Sequence, residues 1–364
     1  MSTPLHRKGR LAGAAFVVGF VTVSMVPIQA ATASTVLRVT NCLDDGSAGS
    51  LRQIVANASA GSTIVFRTIC PPSVTPIILS PSSGPIDINK DLSIVGPGMA
   101  GLGVSGGGAS RVFQVDAGVT ATISGITIEK GNTFDGTGGG IDNGGTLKIA
   151  DCDLSGNTTN GAGGGINSSG SLTLNDSTVS DNSATVAAGG IFNNGGVLKV
   201  DNSILSGNSA TTSGGGGGAI FNYLGTVTIS NSGLSGNSAP LYGGGGIWND
   251  NGMLTVSEST MSGNDADGGG AIWNDVGTLK IGSSTIFGNT ATLGGGGAIY
   301  QGGIIQGGGS TTINNSTLAD NISTGRPDNT PYPGVYNNPT PPIGTITVHS
   351  STIVGGIELR RASF

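Results

Sequence analysis

The aromatic residues hold the first hint of chemistry. Phe192, Phe221, Trp248 and Trp273 each follow an isoleucine in the phrase Gly-Ile-x-Asn or Gly-Ala-Ile-x-Asn, and Tyr300 follows Ile299 in a copy that ends in Gln301; both tryptophans of the chain are among them. Two earlier copies of the phrase carry Asp142 and Asn167 instead. Aromatic faces at even spacing can stack on the rings of an extended glycan, or on one another beneath glycine-rich segments. The carboxylates come next. Asp250, Asp265, Asp267 and Asp275 suggest calcium held between repeats, but no Gly-Gly-x-Gly-x-Asp repeat occurs, and solubilising charge accounts for them better. Calcium is the one cofactor to which these side chains point. From residue 132 to 321 there is no arginine, and the lysines are Lys148, Lys199 and Lys280, which read as a solvated column and not as catalytic groups. No Cys-x-x-Cys occurs, so no thiolate metal site is expected.

The bulk composition limits what can position these groups. The chain has 364 residues, 36% hydrophobic and 10% charged, with 68 glycines. That is too few large apolar side chains for an ordinary globular core, yet charge is too low and β-branched residues too common for disorder. Net charge is −6 and the pI about 4.7, which leaves no basic footprint for nucleic acid.

Residues 1–33 read as a signal peptide: basic His6 to Arg10, an apolar run from Leu11 to Ile28, and the small-residue site Ala31-Thr32-Ala33. Cleavage is expected, with an uncleaved anchor as the alternative. No second apolar run of spanning length follows. Export to the cell surface or beyond is therefore the expected localisation. In an oxidising compartment Cys42 and Cys70 are placed to pair, leaving Cys152 alone, with no role evident for it.

Self-similarity supplies the fold. Three signatures recur in fixed order. The first has its isoleucine at Ile141, Ile166, Ile191, Ile220, Ile247, Ile272 and Ile299. The second is an apolar pair such as Leu147/Ile149 or Leu254/Val256. The third runs from an aliphatic residue to Asn157, Asn182, Asn208, Asn237, Asn264, Asn289 or Asn321. Apolar residues alternate with small or polar ones in each, the period of a strand. Glycine runs and Asn-Gly or Ser-Gly pairs separate them, residues that take the turn conformations. Three strands and three turns in fixed order predict an all-β chain: a right-handed parallel β-helix of three short strands per coil, with a small N-terminal cap. The asparagines are expected to stack in columns at turns.

The expected boundaries are a cap over 34–72, irregular early coils over 73–131, regular repeats over 132–321, a Pro-rich loop over 322–342, and a last coil over 343–364. Within the cap, Leu51, Ile54, Val55 and Ala58 share one helical face suited to plugging the first coil. No helical cap is evident before Phe364.

The Gly-Gly-Ala-Ile phrases at 217–220, 269–272 and 296–299 are similar to polymorphic outer-membrane-protein-like repeats. The opening stretch Val39 to Phe66 resembles that of secreted right-handed β-helix proteins of the pectin-lyase-like superfamily. The resemblance implies the β-helix fold; that fold hosts lyases, hydrolases, adhesins and spikes alike. The third signature departs from the family repeat in carrying aliphatic residues where phenylalanine is common. About forty residues follow Asn321, too few for the membrane barrel of an autotransporter, and no Leu-Pro-x-Thr-Gly sorting motif appears.

The resemblance also says what hydrolases of this fold need: an Asp-Asp pair on a coil strand, a His-Gly and an Arg-x-Lys. Here Asp44-Asp45 lies in the cap, His349 precedes Ser350, and Arg-x-Lys is absent. The chain is therefore expected to be a non-catalytic surface or matrix scaffold, adhesin-like, with a polysaccharide or cell-surface ligand as its partner. A lyase or hydrolase with its site near Arg111 or in the Pro-rich loop is one alternative, and a purely structural repeat protein another.

Overall fold

The computed structural model describes residues 35–66, 76–134, 136–212, 216–241, 243–292, 295–302, 308–324, 334–338 and 344–359. Within these the chain is a right-handed parallel β-helix. Signatures separated by one repeat lie side by side in parallel register: Ile247 pairs with Ile272, Leu254 with Leu279, and Met261 with Ile286.

Each regular coil contributes to four sheets, where the sequence predicts three. In chain order, sheet I holds the first signature, for example Ile141–Asn143, sheet II the second, as in Thr146–Ala150, and sheet III the third, as in Asp153–Ser155. Sheet IV stacks eight two-residue strands such as Thr158–Thr159 and Ser183–Ala184. Two residues are too few to show alternation, which is why periodicity alone missed this side. Its inward positions admit only small groups, and Ala210, Ala239 and Ala266 fill them.

Inward columns make one continuous core from Val39 to Val335. Members such as Leu154, Val179, Leu205, Leu234 and Met261 are fully buried. Each fully buried aliphatic side chain stabilises by about 1.5–3 kcal/mol. At the N-terminal end the helix Leu51–Asn57, capped by the Ser50 hydroxyl, buries Leu51 and Val55 against the first coil. The strand Val36–Val39 beside it pairs with Ser62–Phe66, so sheet II starts inside the expected cap. Asp44 meets the Arg52 guanidinium at 2.8 Å and accepts from the Ser80 N–H, which makes it a structural residue. Cys42 is disulfide-bonded; Cys70, its expected partner, lies outside the described residues. Cys152 is free and buried. Most of the Pro-rich loop, residues 1–34 and the C-terminal residues 360–364 also lie outside the described residues.

The corners are held by amide and hydroxyl ladders. From Asn157 through Asn182, Asn208, Asn237, Asn264 and Asn289 to Asn321, each Nδ2 donates to the next Oδ1 at 2.8–3.0 Å. The same Oδ1 also accepts the preceding asparagine's backbone N–H, as Asn264 does from Asn237 at 3.0 Å. A second ladder in sheet I links Asn193, Asn222, Asn249, Asn274 and Gln301. A third, of serines, was not expected. The Oγ atoms of Ser177, Ser203, Ser232, Ser259, Ser284 and Ser316 each accept the backbone N–H of the preceding coil and donate to the carbonyl two residues back. The residue before each of these serines has positive φ, from Asp176 at 49° to Asn315 at 46°, which turns the chain sharply enough to aim the hydroxyl inward.

Candidate functional site

The five aromatics stand on sheet I outside the core cylinder and pack on one another. Ring centroids lie 5.2 Å apart for Phe192 and Phe221, 4.7 Å for Phe221 and Trp248, 5.6 Å for Trp248 and Trp273, and 4.7 Å for Trp273 and Tyr300. Tyr336, unremarked in the sequence, extends the column 5.3 Å beyond Tyr300. Phe221, Trp248 and Trp273 are buried at 8%, 7% and 4% exposure, while Phe192 and Tyr300 are half-buried. Ala162, Ala187 and Ala188 pack with them. A Cβ on Gly268 would come within 2.4 Å of the Trp273 ring, so glycine there lets backbone lie on the indole. The Trp273 Nε1–H donates to the Gly302 carbonyl, and the Tyr300 hydroxyl accepts from Asn338. The stacked faces are thus turned toward each other, and the central three rings are closed to solvent.

The acidic residues raised for calcium separate into two places. Asp250 and Asp275 end neighbouring strands of sheet I, whereas Asp265 belongs to sheet IV and Asp267 follows it, accepting from the Gly243 N–H. Among the described residues no three His, Cys, Asp or Glu side chains are grouped to hold a metal ion. Burial, then the Asp250 charge, pushes the Asp275 carboxyl up to about 6. Lys148, Lys199 and Lys280 are exposed, in one column with Thr173, Thr228 and Thr255.

Arg111 is committed to the scaffold. It ion-pairs with Asp142 at 3.3 Å and donates to Gln114 and to the carbonyls of Thr137 and Gly138. His349 is exposed at the end of the last strand of sheet II.

A groove absent from the sequence expectations lies on the outward face of sheet III. Residues 96–102 bridge sheets II and III where a later coil uses only 151–152. This longer segment stands over the sheet, fastened by the Thr127 Oγ1–H to the Met99 carbonyl at 2.9 Å and by the Gly98 N–H to Gly125 at 2.9 Å. Beneath it runs a hollow of about 500 Å3 lined by Met99, Ala100, Thr127, Asp153, Thr178 and Ser180. A smaller one of about 190 Å3 continues it past Thr127 to Glu129 and Pro76.

The groove is hydroxyl-rich and negative. Thr127, Asp153 and Thr178 are successive members of one outward column, and Glu129, Ser155 and Ser180 of the next. Asp153 is half-buried; its Oδ2 accepts from Ser155 at 3.2 Å, and its Oδ1 is buried without a hydrogen-bond partner. Burial raises the Asp153 carboxyl above its ordinary range, and Asp181 raises it further against the lowering by Ser155. Lys130 lies 3.8 Å from Glu129 and is the cation nearest the groove among the described ion pairs. The sequence did hold a signal: Asp153 is the one acid in a column whose members from Thr127 to Thr317 are otherwise threonines, Ile204 and Gly233.

No protein-family model matches this sequence, and no curated protein matches it. Among solved structures it is similar to pectate lyase Pel9A, at 15% identity and a TM-score of 0.38, over 70% of this chain and 78% of that one. The fold assignment rests on this chain's own strand order and register. Among the described residues no helix is long and apolar enough to cross a membrane.

Proposed function

We propose that this chain is an exported, non-catalytic binding scaffold that holds an extended polysaccharide across the coils of sheet III. The observation that supports it is the groove under Met99: an open, three-coil hollow lined by hydroxyls and two half-buried carboxylates, Asp153 and Glu129. Columns repeating every ~4.8 Å along the axis present hydroxyl and carboxyl groups at a spacing close to that of successive sugar rings. The buried aromatic column stiffens the cylinder and takes no part in the contact. Negative charge in the groove favours neutral or cationic chains over polyuronates.

Affinity electrophoresis against a panel of soluble neutral, cationic and uronic polysaccharides tests this. The chain is expected to be retarded by at least one neutral or cationic polymer and to lose that retardation in Ser180→Trp, which fills the groove with a residue tolerated in strands. Absence of retardation by every polymer, or retardation unchanged by Ser180→Trp, overturns the reading. The rival reading, hydrolysis, draws on Asp153, since a carboxyl raised by burial in a cleft is suited to donate a proton. New reducing or unsaturated ends produced by the wild type and abolished in Asp153→Asn would favour it.

A further inference from the structure

The charge and hydrogen-bonding state of the groove narrow its ligand, on the premise that it binds a polysaccharide at all. Glu129 and Asp153 lie diagonally across neighbouring strands on the same outward face, and Asp181 acts on Asp153 from the next coil. Among the described ion pairs Lys130 alone offsets them, and it is exposed and reaches Glu129 at 3.8 Å. Asp153 has one oxygen satisfied by Ser155, while the other is buried and unpaired. With Oδ1 closed to solvent, what a ligand meets in the groove is the negative charge of the half-buried carboxylate as a whole. A sugar hydroxyl can donate there, but an ammonium donates and neutralises as well. The hydroxyls of Thr127, Thr178 and Ser180 flank the carboxylates along the axis and suit the remaining hydroxyls of the same sugar chain. The side chain of Met99, 40% exposed at the rim, is unbranched and able to move aside for a ring.

We infer that the groove is built for a polymer of amino sugars, with a ring ammonium set between Asp153 and Glu129 and the neighbouring rings bonded to the threonine and serine columns. A polyuronate is repelled by the same carboxylates. A neutral chain binds through the hydroxyls alone.

The experiment is calorimetric titration of the full chain at pH 6 with three probes: a glucosamine hexamer, an N-acetylglucosamine hexamer of the same linkage, and a hexalysine peptide. The expected result is binding of the glucosamine hexamer about tenfold tighter than the acetylated one, and little binding of the peptide. Asp153→Asn is expected to reduce the preference to about twofold or less, chiefly through weaker binding of the glucosamine hexamer. Should Asp153→Asn fail to fold by circular dichroism, Glu129→Gln serves, with a partial loss of the preference expected. Equal affinity for the two hexamers, or a preference that survives both substitutions, overturns the amino-sugar assignment and leaves polysaccharide binding standing. Hexalysine bound as tightly as the glucosamine hexamer also overturns it, by assigning the attraction to charge alone. Binding of neither hexamer, with no retardation by any polysaccharide, removes the underlying reading too.

Discussion

Burial and the neighbouring Asp250 carboxylate push the Asp275 carboxyl up to about 6, and this gives a pH signature independent of any ligand. An acid whose folded pKa lies above its unfolded value binds more protons when folded, so stability falls as pH rises between about 4 and 6. Asp275→Asn is therefore expected to raise the melting temperature at pH 7.5 and to lose the advantage below pH 4, as followed by a thermal-melt series. Cys152 has a different residue-scale role. Its column neighbours are Ile126 on one side and Ser177 on the other, so it stands where apolar core passes into the serine ladder. A thiol suits both: it packs as a small hydrophobe and makes weak contacts to the carbonyls of Ala150 and Ile123. Burial pushes its pKa up to about 11, which removes thiolate reactivity. Cys152→Ser extends the ladder by one hydroxyl, and urea denaturation is expected to show a change of about 1 kcal/mol or less.

At the scale of the element, the asparagine ladder is a buried network with every amide satisfied. Asn237 donates to Asn264 and to the Leu205 carbonyl, and accepts twice from Asn208. Asn237→Ala strands partners on both sides where water has no access, and a loss on the order of 3–5 kcal/mol is expected in equilibrium unfolding. Asn321→Ala, at the last rung and 7% exposed, is expected to lose about half as much, because partners are stranded on one side only. The aromatic column obeys packing rules instead. Trp248→Ala opens a cavity between Phe221 and Trp273 and is expected to cost about 3–5 kcal/mol. Sheet III carries the groove, so the same variant, once folded, is expected to keep its polysaccharide retardation.

For the whole molecule, the governing fact is that each coil touches only its neighbours, so stability is close to a sum over coils and their interfaces. Residues 244–268 are one complete repeat, since Ile247 and Ile272 occupy the same column. Deleting them restores every column on joining Gly243 to Gly269. The shortened chain is expected to keep its β circular-dichroism spectrum and unfold cooperatively at lower stability. A deletion of about half a repeat puts polar residues in inward columns and is expected to prevent folding.

Much of this architecture was written in the sequence, because the side-chain period of a strand is local and equivalent residues recur at the repeat length. The isoleucine, aliphatic-pair and asparagine columns could be read directly, and the helix at Leu51 showed its apolar face. Sheet IV could not, since strands of two residues carry no period, and the serine ladder hid in a composition full of serine. Alternation put Trp248 and Trp273 outside the cylinder, but whether they met solvent depended on where glycine-rich backbone from other coils came to lie. The groove is of the same kind: Met99 and Asp153 are more than fifty residues apart in sequence, and only winding the chain through further coils sets one above the other. What a residue faces within its own strand is fixed locally; what covers it is decided by segments distant along the chain.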